Sequence, residues 1–567
     1  MIKRNGFINM NYLEDSMRKV IALVLAVLMI AALAACGKTA ETAPAAAGST
    51  TASSGNAAAV EVKDSTDADV AQTVSNTTKS DETLRIVLAG EPASLMNEMT
   101  AGKHSTNVRS MFSDRLLNYD ESTGEFSPYL VESWEEVDAS HLRCTLRKGI
   151  IAEDGTELHA SDVIFTLNLG LELCPIFMPN DWNVPNCVAE DDYTFVLECK
   201  EGKTLPGAMA NMCLAINCIY DESSLEASGG VEANRTNPHW GTGKYRFVEW
   251  VPGQYILLER NENYWDESYV GYYKYIKYTF VADSATRLMS ILSDDADVAP
   301  EIALGQAVEF MSNDGCQVVA IGKADSTVIW LNCANDSPVA KDVRVRQAIR
   351  MALNIDALNQ IATSGLGSRE DFYVKTTSKY YYDPTNGAGV EYNVEKAKQL
   401  LAEAGYGDGF ELRLLGGADC EEVLTAIQGM LLEIGIKVNI AMPDTPVMLE
   451  DGQSGNYDMF YHAHPAALYY RGFDTFQSLD PETAGAGKYA GGPKLTDPAI
   501  TDLIVKAIGA DENEAVTAIN EIVQRAYDEV WCVGVHSSIN TDVAKKGLTG
   551  FRLVLGTYDF SQIRPAQ

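Results

Sequence analysis

Asn237-Pro238-His239-Trp240-Gly241-Thr242-Gly243-Lys244 sets glycines beside a lysine, a combination that could wrap a phosphate. A phosphate loop needs Gly, four residues, then Gly-Lys-Ser/Thr, so that backbone N–H groups ring the phosphates and a hydroxyl reaches magnesium. Here the position five before Gly243 is Pro238, and Lys244 is followed by Tyr245. Both requirements fail, and the stretch reads as a tight turn feeding the alternating strand Tyr245-Arg246-Phe247-Val248-Glu249-Trp250. Gly452-Gln453-Ser454-Gly455-Asn456 puts a serine between glycines, but a nucleophile elbow would need its second glycine at 456. No HExxH occurs, and Asp294-Asp295 reads as a solvated turn. His462 and His464 lie two apart, so on a strand both face one side. Such a pair suits a transition metal or an acidic ligand group, or else two hydrogen-bonded pocket or core histidines. Tyr469, Tyr470 and Arg471 follow, able to stack on a ligand and pair with a carboxylate, or to form a surface loop.

These groups need elements to hold them. Leu84 to Leu88, His141 to Arg147 and Tyr193 to Glu198 alternate as strands. Ser161-Asp162 opens a helix from Val163 to Leu171. Val345, Ile349, Ala352 and Leu353 mark one helical face, and Asn393 caps a helix that carries Ala397, Leu400, Leu401 and Ala404 and stops at Gly405. Leu424 to Ile434 forms a third helix, followed by the strand Ile436 to Ile440, and Asp502 to Gly509 and Glu514 to Val530 add two more helices. Alternating helices and strands make an α/β protein.

The N-terminus speaks of location. Met17-Arg18-Lys19 precedes the apolar run Val20 to Leu33 and then Leu33-Ala34-Ala35-Cys36, the layout of a secretory signal peptide. The Leu-Ala-Ala-Cys end resembles a bacterial lipobox, which implies cleavage before Cys36 and a lipid on its sulfur. Met17 is a better start than Met1. Residues 37–81 are rich in Ala, Thr, Ser, Asp and Gly and read as a disordered tether. The rest is long enough for two or three domains. Across the 567 residues the formal net charge of −35 argues against nucleic acid, which needs clustered Lys and Arg. Eleven cysteines show no CxxC pair and no zinc spacing; beyond Cys36 they are expected as buried thiols.

Several ordered segments together resemble one family. They are Tyr129-Leu130-Val131-Glu132-Ser133-Trp134, Leu146-Arg147-Lys148-Gly149-Ile150, Asp154-Gly155-Thr156-Glu157-Leu158 with Ala160 to Phe165, Asn237-Pro238 with Gly241-Thr242-Gly243 and Tyr245, Arg260-Asn261 with Asn263-Tyr264-Trp265, Asp342 to Ile349, and Ala402 to Tyr406. Their order is similar to that of the peptide/nickel-binding family of extracytoplasmic solute-binding proteins of ABC importers. The resemblance implies a two-lobed periplasmic-binding-protein-like α/β fold with an additional α/β domain inserted in the first lobe. Lobe I would comprise residues 82–113, 237–323 and 525–567, the inserted domain 114–236, and lobe II 324–524, after a signal peptide over 1–36.

The resemblance also implies a task. The chain is expected to be a lipid-anchored substrate-binding protein, a monomer at the outer face of the cytoplasmic membrane, cell surface or periplasm. It would capture a peptide or peptide-like solute between two lobes and deliver it to permease subunits, with no cofactor and no nucleic acid. A metal or metal-chelate receptor is the alternative, with an enzyme or a sensor-presenting receptor behind it. The family's amine-anchoring aspartate aligns with Ala467 and its tryptophan with His464, leaving Asp474 as the next acid available. Lobe I would offer His104, Ser105 and Thr106 to the ligand, and Trp330 is either a cleft wall or core. Lys244 stands where the family pattern often has proline and is expected to be exposed.

Overall fold

A computed structural model describes residues 62–63, 79–99, 102–120, 125–175, 178–201, 203, 205–269, 271–374, 381–465, 491–495, 497–509 and 512–566. Its spine is one mixed sheet. From one edge the strands run Ile436–Ala441, Phe410–Leu415, Met459–Pro465, Cys316–Leu331, Cys532–Lys545, Val298–Ala299, Thr83–Leu88, Tyr275–Phe280, Tyr255–Arg260 and Tyr245–Val251, and Val62–Lys63 pairs beside Ala320 and Ile321.

Two long strands, Cys316–Leu331 and Cys532–Lys545, serve both halves of the sheet. Their antiparallel register runs evenly from Cys316↔Lys545 to Gly322↔Ile539, then jumps to Ser326↔Ser537. Extra residues on one side of a ladder bend it locally, and here the bend falls where the chain passes from one hydrophobic core to another. On one side, Leu84, Ile86, Ile256, Ile276, Val319 and Ile321 share a core. On the other, Ile329 and Leu331 face a core with Val345, Ile349, Leu424 and Ile427, while Val328 and Trp330 face a second with Phe460, Ile504 and Ile522. Lobe II is therefore helix on sheet on helix; its central segment, residues 328–331, is apolar on both faces, while the edge strand Ile436–Ala441 exposes Lys437 and Asn439.

The helices covering that sheet begin where side chains can satisfy their first N–H groups. Asp342 accepts from Arg344 N, Asn354 from Ala357 N and Asn393 from Lys396 N. Loss of one such cap costs about 1 kcal/mol. Gly405, at φ +88°, ends the Val394–Glu403 helix in the left-handed conformation that glycine adopts without strain.

The inserted domain has a four-stranded sheet built on Val131–Glu136, His141–Leu146, Val188–Ala189 and Thr194–Glu198, packed on the helix Ala160–Leu173. That helix starts earlier than the Ser161-Asp162 cap implies: Asp162 lies inside it and its carboxylate accepts from His159 N at 2.7 Å. The insert's core runs from Leu116 to Ile219, and Leu225 already packs in lobe I, so its hydrophobic boundary precedes residue 236. Similarly, the helix Glu512–Glu529 packs Ile519, Ile522, Val523 and Ala526 into a lobe II core. The return to lobe I thus falls within Cys532–Lys545 rather than at 525.

Candidate interlobe site

Strand direction decides which surfaces face each other. Thr83–Leu88 is parallel to Tyr275–Phe280 and to Val298–Ala299. Val298–Ala299 is antiparallel to Cys532–Lys545, which is antiparallel to Cys316–Leu331. The first crossing strand therefore leaves lobe I in the direction in which Leu88, Phe280 and Ala299 end. In lobe II that strand is antiparallel to Met459–Pro465, which is parallel to Phe410–Leu415, itself parallel to Ile436–Ala441. Pro465, Leu415 and Ala441 end toward lobe I. The carboxyl edges of both lobes thus look at each other across the crossing strands. Ligands of open α/β sheets bind outside the carboxyl ends of strands.

On lobe I this edge carries the loops after Leu88, Phe280 and Ala299 and the helix Gly102–Phe112. Arg287 is buried and ties two of the loops, donating to the carbonyls of Val281 (2.9 Å), Ala282 (2.8 Å) and Glu301 (3.0 Å). Lys103 Nζ reaches Glu301 Oε2 at 2.7 Å. His104 is half-buried, and its ring lies so close to Gly90 that an added Cβ there would meet Cδ2 at 2.8 Å. Burial, and then the charge of Lys103, pull the His104 imidazole below its ordinary pKa. Its Nδ1 is enclosed and has no hydrogen-bond partner among the described residues. Ser105 and Thr106 behave differently. Both are buried, and the Thr106 hydroxyl donates to Gly102 O at 3.4 Å within its own helix.

On lobe II, Gly416 N donates to Ala441 O at 3.1 Å, fixing the loop that presents Asp419. His462, in register with Val328, is half-buried and stacks on Phe460 with ring centroids 4.8 Å apart. Burial lowers its pKa, with Asp419 pulling the other way. One strand position earlier, on the opposite face, Tyr461 Oη bonds His536 Nε2 at 2.9 Å. His464 is in register with Ser326, whose buried hydroxyl has no partner among the described residues. The His464 side chain, Ala467, Tyr469, Tyr470, Arg471 and Asp474 lie outside the described residues, as does Cys36. Trp330 is fully buried in a lobe II core, in register with Phe460 and Cys532 on the neighbouring strands. Among the described residues no group of three or more His, Cys, Asp or Glu side chains could hold a metal ion, and no helix among them is long and apolar enough to cross a membrane.

The glycine-lysine stretch has a structural role. Gly243 N donates to Phe112 O at 3.0 Å, and a Cβ on Gly241 or Gly243 would collide with the Phe112 backbone. Thr242 Oγ1 donates at 3.1 Å to Asp114, which also accepts from Tyr129 at 3.0 Å and Tyr264 at 3.1 Å. The departure of the insert and its return are stitched together at this point. Lys244 departs from the expectation of exposure: its side chain is 6% exposed and its ammonium lies 2.8 Å from Asp559, above the Tyr269 ring. Sequence reading missed it because Asp559 is 315 residues away in the chain. The ten described cysteines are all free and eight of them are buried, in keeping with packing thiols.

Comparison with known proteins agrees with this architecture. The model of bacterial extracellular solute-binding proteins, family 5, matches residues 125–485. The chain is 25% identical to the oligopeptide-binding protein AppA of Bacillus subtilis over 65% of this chain and 70% of that one. It is 31% identical to the glutathione-binding protein GsiB of Pectobacterium atrosepticum over 36% of this chain and 39% of that one. The structure of NikA from Brucella suis with Fe(III)-EDTA superposes with a TM-score of 0.72 at 17% identity, covering 86% of this chain and all of that one. These relatives are two-lobed binding proteins, and the family consists of binders rather than enzymes. The chain belongs to family 5 of the bacterial extracellular solute-binding proteins.

Proposed function

We propose that this protein captures a peptide or peptide-like solute between its two lobes and hands it to the permease of an ABC importer, held at the outer face of the membrane by lipid on Cys36. The observation that carries the reading is the opposition of the two carboxyl edges across a pair of crossing strands whose register breaks between Gly322 and Ser326. Such an arrangement leaves a slot with a bend at its base. A solute that touches both edges stabilises the closed form by its extra contacts there, which is all a ligand needs to shift the population. Burial, joined at His104 by the charge of Lys103, favours the neutral imidazole at His104 on one edge and at His462 on the other, and a neutral ring offers one donor and one acceptor nitrogen to an amide-rich solute. The oligopeptide-binding relative supports the choice of peptide.

A metal chelate is the second reading, favoured by the neutral His462 imidazole at the edge of the slot. A thermal-shift screen of peptides, free amino acids, divalent metals and metal chelates separates the two. Peptides are expected to raise the melting temperature; a response confined to chelates would replace the peptide reading.

A further inference from the structure

A cavity of about 390 Å³ lies beside the Gly102–Phe112 helix, where three separate parts of the chain meet. The helix supplies Lys103 and Thr106, the inserted domain supplies Leu214 and Ile216, and the C-terminal hairpin Leu553–Tyr558 supplies Leu555 and Thr557, with Met99 at the lip. Its size is that of a pocket for a small molecule or a large side chain.

The hairpin is held firmly. Its turn takes Leu555 at φ +49° and Gly556 at +78°, which matches the twist of a two-residue connection. Leu555 then packs in the insert's core while Leu553 and Tyr558 pack in that of lobe I. Tyr558 N donates to Asn107 Oδ1 at 3.3 Å, and its hydroxyl donates to Asp542 at 2.6 Å. The next residue, Asp559, is the buried partner of Lys244. The wall of the cavity is therefore fixed to both domains.

The charges around it are already matched. Lys103 is paired with Glu301 at 2.7 Å and Glu98 with Arg235 at 2.7 Å. The remaining surface is mainly apolar, and Met99, a large apolar side chain, is 54% exposed at its edge. Lys103, whose ammonium reaches Glu301 on the lobe I carboxyl edge, also lines the cavity, so edge and cavity share a residue.

We propose that this cavity is a subsite for a bulky, uncharged apolar group of the captured solute, such as an aromatic or branched aliphatic side chain. The inference rests on the reading that a peptide-like solute is held between the lobes. The tripeptides Ala-Phe-Ala, Ala-Ala-Ala and Ala-Glu-Ala are titrated calorimetrically into the mature chain and into Ala215→Trp and Thr557→Trp, each of which fills the cavity from a different wall. Ala-Phe-Ala is expected to bind the native chain at least tenfold more tightly than the other two, and each substitution is expected to remove that preference. Circular dichroism checks folding. Where a tryptophan variant does not fold, Met99→Asp at the exposed lip takes its place, with the same loss expected. A phenylalanine preference that survives the substitutions, or no preference at all with Ala-Ala-Ala still bound, overturns the subsite alone. Failure of every peptide to bind the native chain overturns the peptide reading and the subsite with it.

Discussion

Lys244 Nζ lies 2.8 Å from Asp559 Oδ2, with both side chains nearly sealed from water. This pair joins the strand by which the chain returns from its inserted domain to the C-terminal segment that closes the fold. Burial draws the lysine's pKa down against the pull of Asp559. For the acid, burial alone would raise the pKa, but Lys244 and Arg552 overcome it and hold the carboxyl well below its usual range. Lys244→Met leaves the buried Asp559 to Arg552 and Ser561, so it is expected to cost about 3 kcal/mol in urea unfolding, the lower end for a broken buried pair. Lys244→Met with Asp559→Leu is expected to recover part of that loss. Additive losses in the double variant would mean that the two side chains do not act as a pair.

Gly243 and Gly305 provide a contrast between two glycines of ordinary backbone conformation. A Cβ at Gly243 would run into the Phe112 backbone, which cannot withdraw, whereas one at Gly305 meets nothing within 4 Å. Gly243→Ala should destabilise by about 1–3 kcal/mol or more, and Gly305→Ala should be neutral or stabilise by a few tenths of a kcal/mol. Equal effects in thermal melts would contradict the close approach of the return strand to the helix end.

Acid should weaken the fold through its buried histidines. The His536 Nδ1 donates to Ser537 O at 2.9 Å, so Nε2 accepts from Tyr461, the neutral tautomer. Burial lowers the pKa of both His536 and His462. The unfolded chain therefore takes up protons first, and stability falls as pH drops below about 6.5, the ordinary histidine value. His141, raised by Asp138, acts in the opposite sense from an exposed position. The urea midpoint is expected to be lower at pH 5.5 than at 7.5, with a smaller difference in the variant carrying both His462→Gln and His536→Gln. An unchanged difference would assign the acid sensitivity elsewhere.

Much of the architecture was legible in the sequence because its determinants are local. Asn393 and Gly405 bracket a helix through contacts within a few residues. The sixteen-residue strand Cys316–Leu331 gave no such signal. Its Val328 to Leu331 segment is buried on both faces, so nothing alternates, and its middle changes lobes, so its apolar pattern breaks. The site was half legible for the same reason. His462 and His464 announce themselves by spacing, but the stacking on Phe460 and the crowding of Gly90 against His104 come from packing. The burial of Lys244 was not legible because its counter-charge is remote in sequence.

The resemblance of Leu33-Ala34-Ala35-Cys36 to a lipobox leads to a direct expectation at the other end of the chain. Cells fed a labelled fatty acid should label the native protein and leave Cys36→Ser unlabelled and released from the membrane fraction. Label retained in the variant, or absent from both, would remove the anchor.

Small-angle scattering of the mature protein, alone and saturated with a peptide that raises its melting temperature, tests capture between the lobes most directly. The radius of gyration should fall on saturation as the two carboxyl edges close on the peptide. A bound peptide with an unchanged radius and unchanged scattering profile would place the ligand outside the interlobe slot and contradict the account.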